Sequence, residues 1–252
     1  MGRYMASTQF LPFTATASSS AADHPPPNVG LLRWGERTWR AGTTGLAEYL
    51  QLDLGPAAPG AVGLFADYTT ATVLSVRESA TAGGTYATIA TLDVEEDERV
   101  GNRRKGFWML PTSQRHVRVH GTALRPGADT FEVGRLVLPG ELRETPQNPG
   151  QPEWQPLWPR DEVRDETNRL LGVNVEGPPR IAYTYASSHW KRDSTGLEEL
   201  LRLFNVGPAG TCLLYENAGR SAHAYLLHPI ELSPVRRGAF FEPASLRLEE
   251  WG

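Results

Sequence analysis

The densest run of ionisable side chains is Glu95-Glu96-Asp97-Glu98, followed by Arg99, Arg103, Arg104 and Lys105. Carboxylates that converge with carbonyl oxygens would hold a calcium ion. The same acids facing the cations that follow them would instead make a hairpin tip of paired, solvated charges, and the adjacent cations favour that arrangement. Two histidine pairs invite a zinc reading. His116 and His120 fall in a strand pattern, where a rise of about 3.3 Å per residue sets them roughly 13 Å apart, too far to share one zinc. His223 and His228 are an odd number of positions apart, which on a strand sends them to opposite faces.

Nucleophile and phosphate motifs are weaker still. Gly219-Arg220-Ser221-Ala222-His223 lacks the second glycine of a nucleophile elbow. Cys212 lies mid-strand between Thr211 and Leu213, where a buried, inert thiol is expected. Gly55 and Gly60 have the glycine spacing of a phosphate loop, but Ala61-Val62 follows where Lys-Ser/Thr is required. Glu198-Glu199 sits where a helix would begin, and the helix dipole accounts for it. No catalytic, cofactor-binding or metal-binding residue is assigned, and no cofactor is implied. What remains is a pair of aromatics, Trp154 and Trp158, four apart in a proline-rich segment. They are candidates for stacking on a sugar or a partner; the commoner use of such residues is to pin a segment onto its own domain.

Strands must position these residues. Leu50, Leu52 and Leu54 alternate with Gln51 and Asp53, the period of a strand with one wet and one buried face. Gly55-Pro56 stops it, Ala61–Phe65 starts a second apolar run, and Thr72–Val76 a third. Further strands are expected at Tyr86–Asp93, Gly106–Leu110, His116–Gly121 and Thr130–Leu138, separated by glycine- and proline-bearing turns. Such spacing predicts a β-sandwich or jelly roll. The 252 residues carry a net charge of -4, a single cysteine and lysine only at Lys105 and Lys191. No intrachain disulfide is possible, no field favours nucleic acid, and no apolar run has the length of a signal peptide or a membrane span.

The organisation expected is an extended arm over 1–27, a jelly roll over 28–139, a proline-rich linker over 140–160 and a second β domain over 161–252. Within the last, Arg180–Ala186, Thr211–Tyr215, Ala222–Leu227 and Ser245–Trp251 read as strands. Thr195 and Glu198 make a capping box ahead of Leu197, Leu200, Leu201 and Phe204, which predicts one amphipathic helix ended by Gly207-Pro208.

Two resemblances follow from these landmarks. Over Ala17–Leu138, the order ASSSAADHPPPNVG, GERTWRAG, LAEYLQLDLG, TATVLSVRES and RHVRVHG resembles discoidin-like, galactose-binding-like jelly rolls. Trp39, Leu50–Gly55, Ser79 and Arg115–Val119 fill the family's places, while the cysteine pair of many members is missing. Over Arg160–Gly252, the tyrosine-rich strand, the helix and the closing PASLRLEEW resemble the tail-tube-related β domain of bacteriophage distal and minor tail proteins. Together they imply a mainly β, non-enzymatic subunit of a long non-contractile phage tail tip, located in the virion. Its partners would be copies of itself in a ring (hexamer or trimer), tail tube, hub and tape-measure proteins, and a host surface glycan, without nucleic-acid recognition or membrane insertion. The alternative is a soluble carbohydrate-binding module of a surface assembly. A hydrolase built on Ser221 is a distant third.

Overall fold

The computed structural model describes residues 4–7, 9–30, 38–55, 60–100, 103–144, 153–157, 160–164, 170–175, 180–185, 190–191, 212–216, 220–237 and 240–250. Among them the chain is mainly β. In its first half the strands are β1 (Tyr4–Ser7), β2 (Thr14–Ala17), β3 (Trp39–Arg40), β4 (Tyr49–Asp53), β5 (Gly63–Asp67), β6 (Ala71–Ser79), β7 (Ala87–Asp93), β8 (Glu95–Asp97), β9 (Arg103–Met109), β10 (His116–Leu124), β11 (Glu132–Val133) and β12 (Arg135–Val137). In its second half they are β13 (Arg143–Glu144), β14 (Glu153–Leu157), β15 (Arg160–Arg164), β16 (Leu170–Val175), β17 (Arg180–Tyr185), β18 (Trp190–Lys191), β19 (Cys212–Glu216), β20 (Ala224–Arg237) and β21 (Phe240–Glu250).

The first half is an antiparallel sandwich. One sheet has the order β2-β4-β10-β6-β7 and the other β12-β5-β9-β8. The chain moves between them as it proceeds, with β4 in the first, β5 in the second, β6 and β7 back in the first, and β8 and β9 in the second. Leu50 and Leu52 of β4, Leu74 and Val76 of β6, and Val117 and Val119 of β10 point inward and meet Leu64 and Ala66 of β5. Trp39 closes one end, its ring edge-on to Phe131 at 5.2 Å, and its indole N–H donates to Ser19 O and Ser20 Oγ. The alternation in Tyr49–Asp53 therefore has the expected cause: Leu50 and Leu52 are fully buried, Tyr49, Gln51 and Asp53 half-buried.

β5 differs, because all five of its residues are buried. A continuous apolar run is what a strand covered on both faces requires. Leu64 and Ala66 enter the sandwich core, whereas Phe65 points the other way and packs with Phe107, Val137, Leu213, Ala224 and Leu226. Leu213 lies on β19, and Ala224 and Leu226 on β20, in an eight-stranded sheet ordered β13-β1-β19-β20-β21-β17-β14, with β18 paired to β21. The four-stranded sheet is thus the middle of three layers.

Two segments expected to be unpaired take part in sheets. In the arm, β1 lies between β13 and β19, with Met5 opposite both Glu144 and Tyr215, and β2 borders β4. In the proline-rich segment, β14 pairs with β17, setting Pro156 opposite Ile181. As the last strand in its sheet, β14 tolerates a proline that a central strand would not. The polar stretch after Arg160 forms the β15–β16 hairpin. The expected helix over 195–207 lies outside the described residues.

Candidate ligand-binding face

The five-stranded sheet has a second, outward face. Register fixes its members. In β10, His116, Arg118 and His120 alternate with the inward Val117 and Val119, and they stand opposite Asp53, Gln51 and Tyr49 of β4. On the other side the same three residues face Ser79, Arg77 and Ser75 of β6. Each of these side chains is polar because its Cβ points away from the core.

At the centre of this face is a stack. The Arg118 guanidinium lies 3.7 Å from the centroid of the Tyr86 ring and 4.2 Å from that of Tyr49. Tyr86 comes from the turn between β6 and β7, so loop and sheet converge on the same arginine. Gln51 Oε1 accepts from Arg118 Nε at 2.9 Å and from the Tyr86 hydroxyl at 2.9 Å. Arg118 Nη2 also donates to Ala82 O at 3.2 Å. His120 extends the aromatic row, its ring 5.1 Å from Tyr49. Burial, then Arg77 and Arg118, push the His120 imidazole down to about 4, so it is neutral at physiological pH. Below the stack, Arg115 grips Asp53 with two bonds of 2.6 and 2.8 Å, and these hold the Asp53 carboxyl well below the usual range. Partly exposed tyrosine rings, a fixed guanidinium, an amide and an imidazole are the groups that bind sugars: apolar ring faces meet aromatic faces, and hydroxyls meet planar donors and acceptors.

The acidic run lies elsewhere, against the eight-stranded sheet. Its carboxylates are matched to cations and N–H or O–H donors from two directions. Across its own hairpin, Glu96 pairs with Arg104 at 2.5 Å and Asp97 with Lys105 at 2.8 Å. From the other sheet, Arg220 donates to Glu98 at 2.7 Å, and Ser221 Oγ and Ala222 N donate to Glu95 at 3.1 and 3.3 Å. Asp97, Glu98 and His223 bring potential ligand atoms within 4.8 Å of one another. However, Asp97 is already bonded to Lys105 and to the Arg99 N–H, and Glu98 to Arg220. Local pairing across the hairpin is observed as expected; the contribution of Arg220 and Ser221 is not visible in sequence, because they are more than a hundred residues away.

The charges continue across the middle sheet. Register aligns Arg135, Asp67, Lys105 and Glu95 in one cross-strand row, alternating in sign. Asp67 accepts from Arg103 Nη2 at 3.1 Å and from Arg135 Nη2 at 2.6 Å, and Arg103 Nε lies 2.9 Å away as an ion-pair contact. Glu250 of β21 reaches down from the third layer and accepts from Arg103. All four of these side chains are buried. Burial raises the Asp67 carboxyl, yet Arg103 and Arg135 together bring it below its ordinary value. Lys105 also sits 3.4 Å over the Tyr225 ring, and burial followed by Arg103 pushes its ammonium down to about 8. This cluster joins layers and its side chains are buried, which suits a structural weld.

Of the other residues considered from sequence, Trp154 lies on β14 opposite Tyr183, in a different layer from the outward face, and Trp158 lies outside the described residues. Ser221 is engaged by Glu95, and Cys212 pairs through its backbone with Leu227. Tyr49, Gln51, Arg77, Tyr86, Arg118 and His120 did not stand out as a group in sequence. The signal was present in the polar positions of YLQLD and HVRVH, but only the register that pairs those two strands turns it into a surface.

No protein-family model matches the chain, and no curated protein matches it significantly. Among solved structures it is similar to the CBM32 of AlyQ in complex with 4,5-unsaturated mannuronic acid, at 16% identity and a TM-score of 0.41 over 52% of this chain and 97% of that one. It is also similar to the family 32 CBM from C. perfringens NanJ in complex with galactose, at 14% identity and a TM-score of 0.40 over 55% and 99%. A third is chitosan-binding module 1 from a chitosanase/glucanase of Paenibacillus sp. IK-5, at 18% identity and a TM-score of 0.40 over 51% and 95%. Likeness at this level leaves the ligand to be argued from the geometry of the face.

Proposed function

We propose that this chain binds carbohydrate, without turning it over, on the outward face of the five-stranded sheet. The observation that carries the reading is the stack of Arg118 between Tyr49 and Tyr86, locked by Gln51. Its planes are set before any ligand arrives, so little side-chain entropy remains to be lost on binding. Paired acid and base carboxylates, the usual apparatus for cleaving a glycosidic bond, have no counterpart among the described residues of this face, where Asp53 is committed to Arg115. The test is a glycan array followed by calorimetry on the full chain and on Tyr86→Ala and Arg118→Ala. Saturable binding that both variants lose, with melting temperatures retained, is the expected result. A flat array, or binding that survives both substitutions, sinks the reading. Trp154→Ala, in another layer, is expected to leave binding unchanged.

A second reading places the same protein at the tip of a long phage tail, as a distal or minor tail subunit whose jelly roll touches host glycan. What supports it is the β20–β21 hairpin. β19 pairs only with Cys212–Tyr215 opposite Ala224–Leu227, so the rest of β20, to Arg237, has β21 as its partner among the described residues. A long two-stranded extension of this kind suits addition of a neighbour's strand. Native mass spectrometry across concentrations, with and without tail proteins, checks it: closed rings are expected, and a monomer throughout would remove it.

A further inference from the structure

Arg77 and Arg118 stand directly opposite each other on β6 and β10, on the outward face. Like charges in that position repel. Arg118 is held by Gln51 Oε1 and Ala82 O, and Arg77 Nε donates to Ser75 Oγ at 3.4 Å. These partners are neutral. Among the described residues neither guanidinium has a carboxylate within ion-pair distance. The two nearest acids along these strands are spent elsewhere: Asp53 on Arg115, and Glu78 on Ser113 and the Gln114 N–H. Several other arginines among the described residues do have acid partners. Arg40, Arg103, Arg104, Arg115, Arg135 and Arg220 each pair with a carboxylate. In a protein of net charge -4, two facing arginines without acids form a local positive site that the overall charge does not explain.

We infer that the ligand is an acidic oligosaccharide, whose carboxylates are taken up by Arg77 and Arg118. This rests on the carbohydrate-binding reading above and names the ligand class for that site. A guanidinium presents a planar fork that matches a carboxylate with two parallel bonds. Arg118 keeps part of that fork free of Gln51 and Ala82, and Arg77 offers both terminal nitrogens. A bound carboxylate would also remove the repulsion between the two cations, so that binding gains what the free face loses. Burial is the main cause of the low His120 value, and Arg77 and Arg118 depress it further, so both guanidiniums face this side chain.

The experiment uses oligogalacturonate, the same oligomer with its carboxyls methyl-esterified, and sulfated dextran, each titrated into the full chain and into Arg77→Gln. Arg77 is not a member of the Tyr–Arg–Tyr stack, and a thermal melt checks that Arg77→Gln is folded. The oligogalacturonate is expected to bind, with affinity falling as salt rises. Esterification and Arg77→Gln should each weaken it by about tenfold or more, the scale of a lost charge-assisted pair. Binding should also raise the His120 titration midpoint. Equal binding of the neutral ester would overturn the acidic class and leave the carbohydrate reading standing. Equal binding of sulfated dextran would replace a carboxylate site with a general polyanion site. No binding of either oligomer, together with a flat glycan array, would remove both readings.

Discussion

Glu250 on the last strand accepts hydrogen bonds from Arg103 on β9, in a different layer of the molecule, with both side chains buried. Arg103 is bound at the same time to Asp67, and Arg135 completes the group. The two carboxylates therefore balance the two guanidiniums, and one of the four comes from the far sheet. Removing it leaves a buried excess of positive charge. Glu250→Ala is expected to destabilise the protein by about 3–5 kcal/mol, the usual cost of breaking a buried pair from one side. Equilibrium urea unfolding checks this. Within this buried group Glu250 is the member that crosses between layers, alongside the apolar packing of Phe65 on Leu213 and Leu226 and the Arg220–Glu98 pair, so the loss is expected as a lower urea midpoint rather than as separation of the layers.

The sandwich was legible in sequence because its physics is local. Leu50–Gln51–Leu52 alternates because one face is wet, and the structure buries those leucines as the period requires. The run Ala61–Phe65 was equally plain as a strand, but that its second face meets another sheet depends on Leu213 and Leu226, far along the chain. The same holds for the arm. Tyr4–Ser7 carries no period of its own, and becomes a strand only because β13 and β19 flank it. Both the charge row through Asp67 and the outward stack at Arg118 are products of register, which pairs residues that sequence order keeps apart.

Lys105 gives a pH dependence with a definite sign. Its ammonium is pushed from 10.5 down to about 8 in the folded protein. Between those values the unfolded chain holds a proton that the folded chain has released. Stability from this residue therefore rises as pH climbs from about 8 to about 10.5, and the penalty of burying the charge is fully present below 8. Urea midpoints measured across that window should show the rise, and Lys105→Met should abolish it. The only other lysine is Lys191, so in Lys191→Arg a single lysine Cε signal remains, expected to titrate near 8.

Gly121 tests the packing at the sheet's bend. A Cβ built there would lie 2.8 Å from the Phe131 ring, and that ring is braced edge-on by Trp39. It cannot give way without moving a fully buried tryptophan. Gly121→Ala is expected to cost about 1–3 kcal/mol, the range for overpacking a dense core, read as a lower urea midpoint. Gly83→Ala, where nothing lies within 4 Å, serves as the control and should leave the midpoint within about 0.5 kcal/mol of wild type.

His120 provides the most direct reading of the outward face. Its imidazole is lowered from 6.5 to about 4, first by burial and then by Arg77 and Arg118. A depressed folded value means that the unfolded chain takes up its proton first as pH falls. The stability that His120 contributes is therefore whole above 6.5, and it is lost between 6.5 and about 4. Arg77→Gln removes one of the two neighbouring charges while leaving the contact with Tyr49. Its expected effect is a higher titration midpoint by NMR, still below 6.5 because burial and Arg118 remain. A midpoint that does not move would show that burial alone sets the value. The field of the arginines would then be too weak to select an anion, and the acidic-ligand assignment would lose its electrostatic basis.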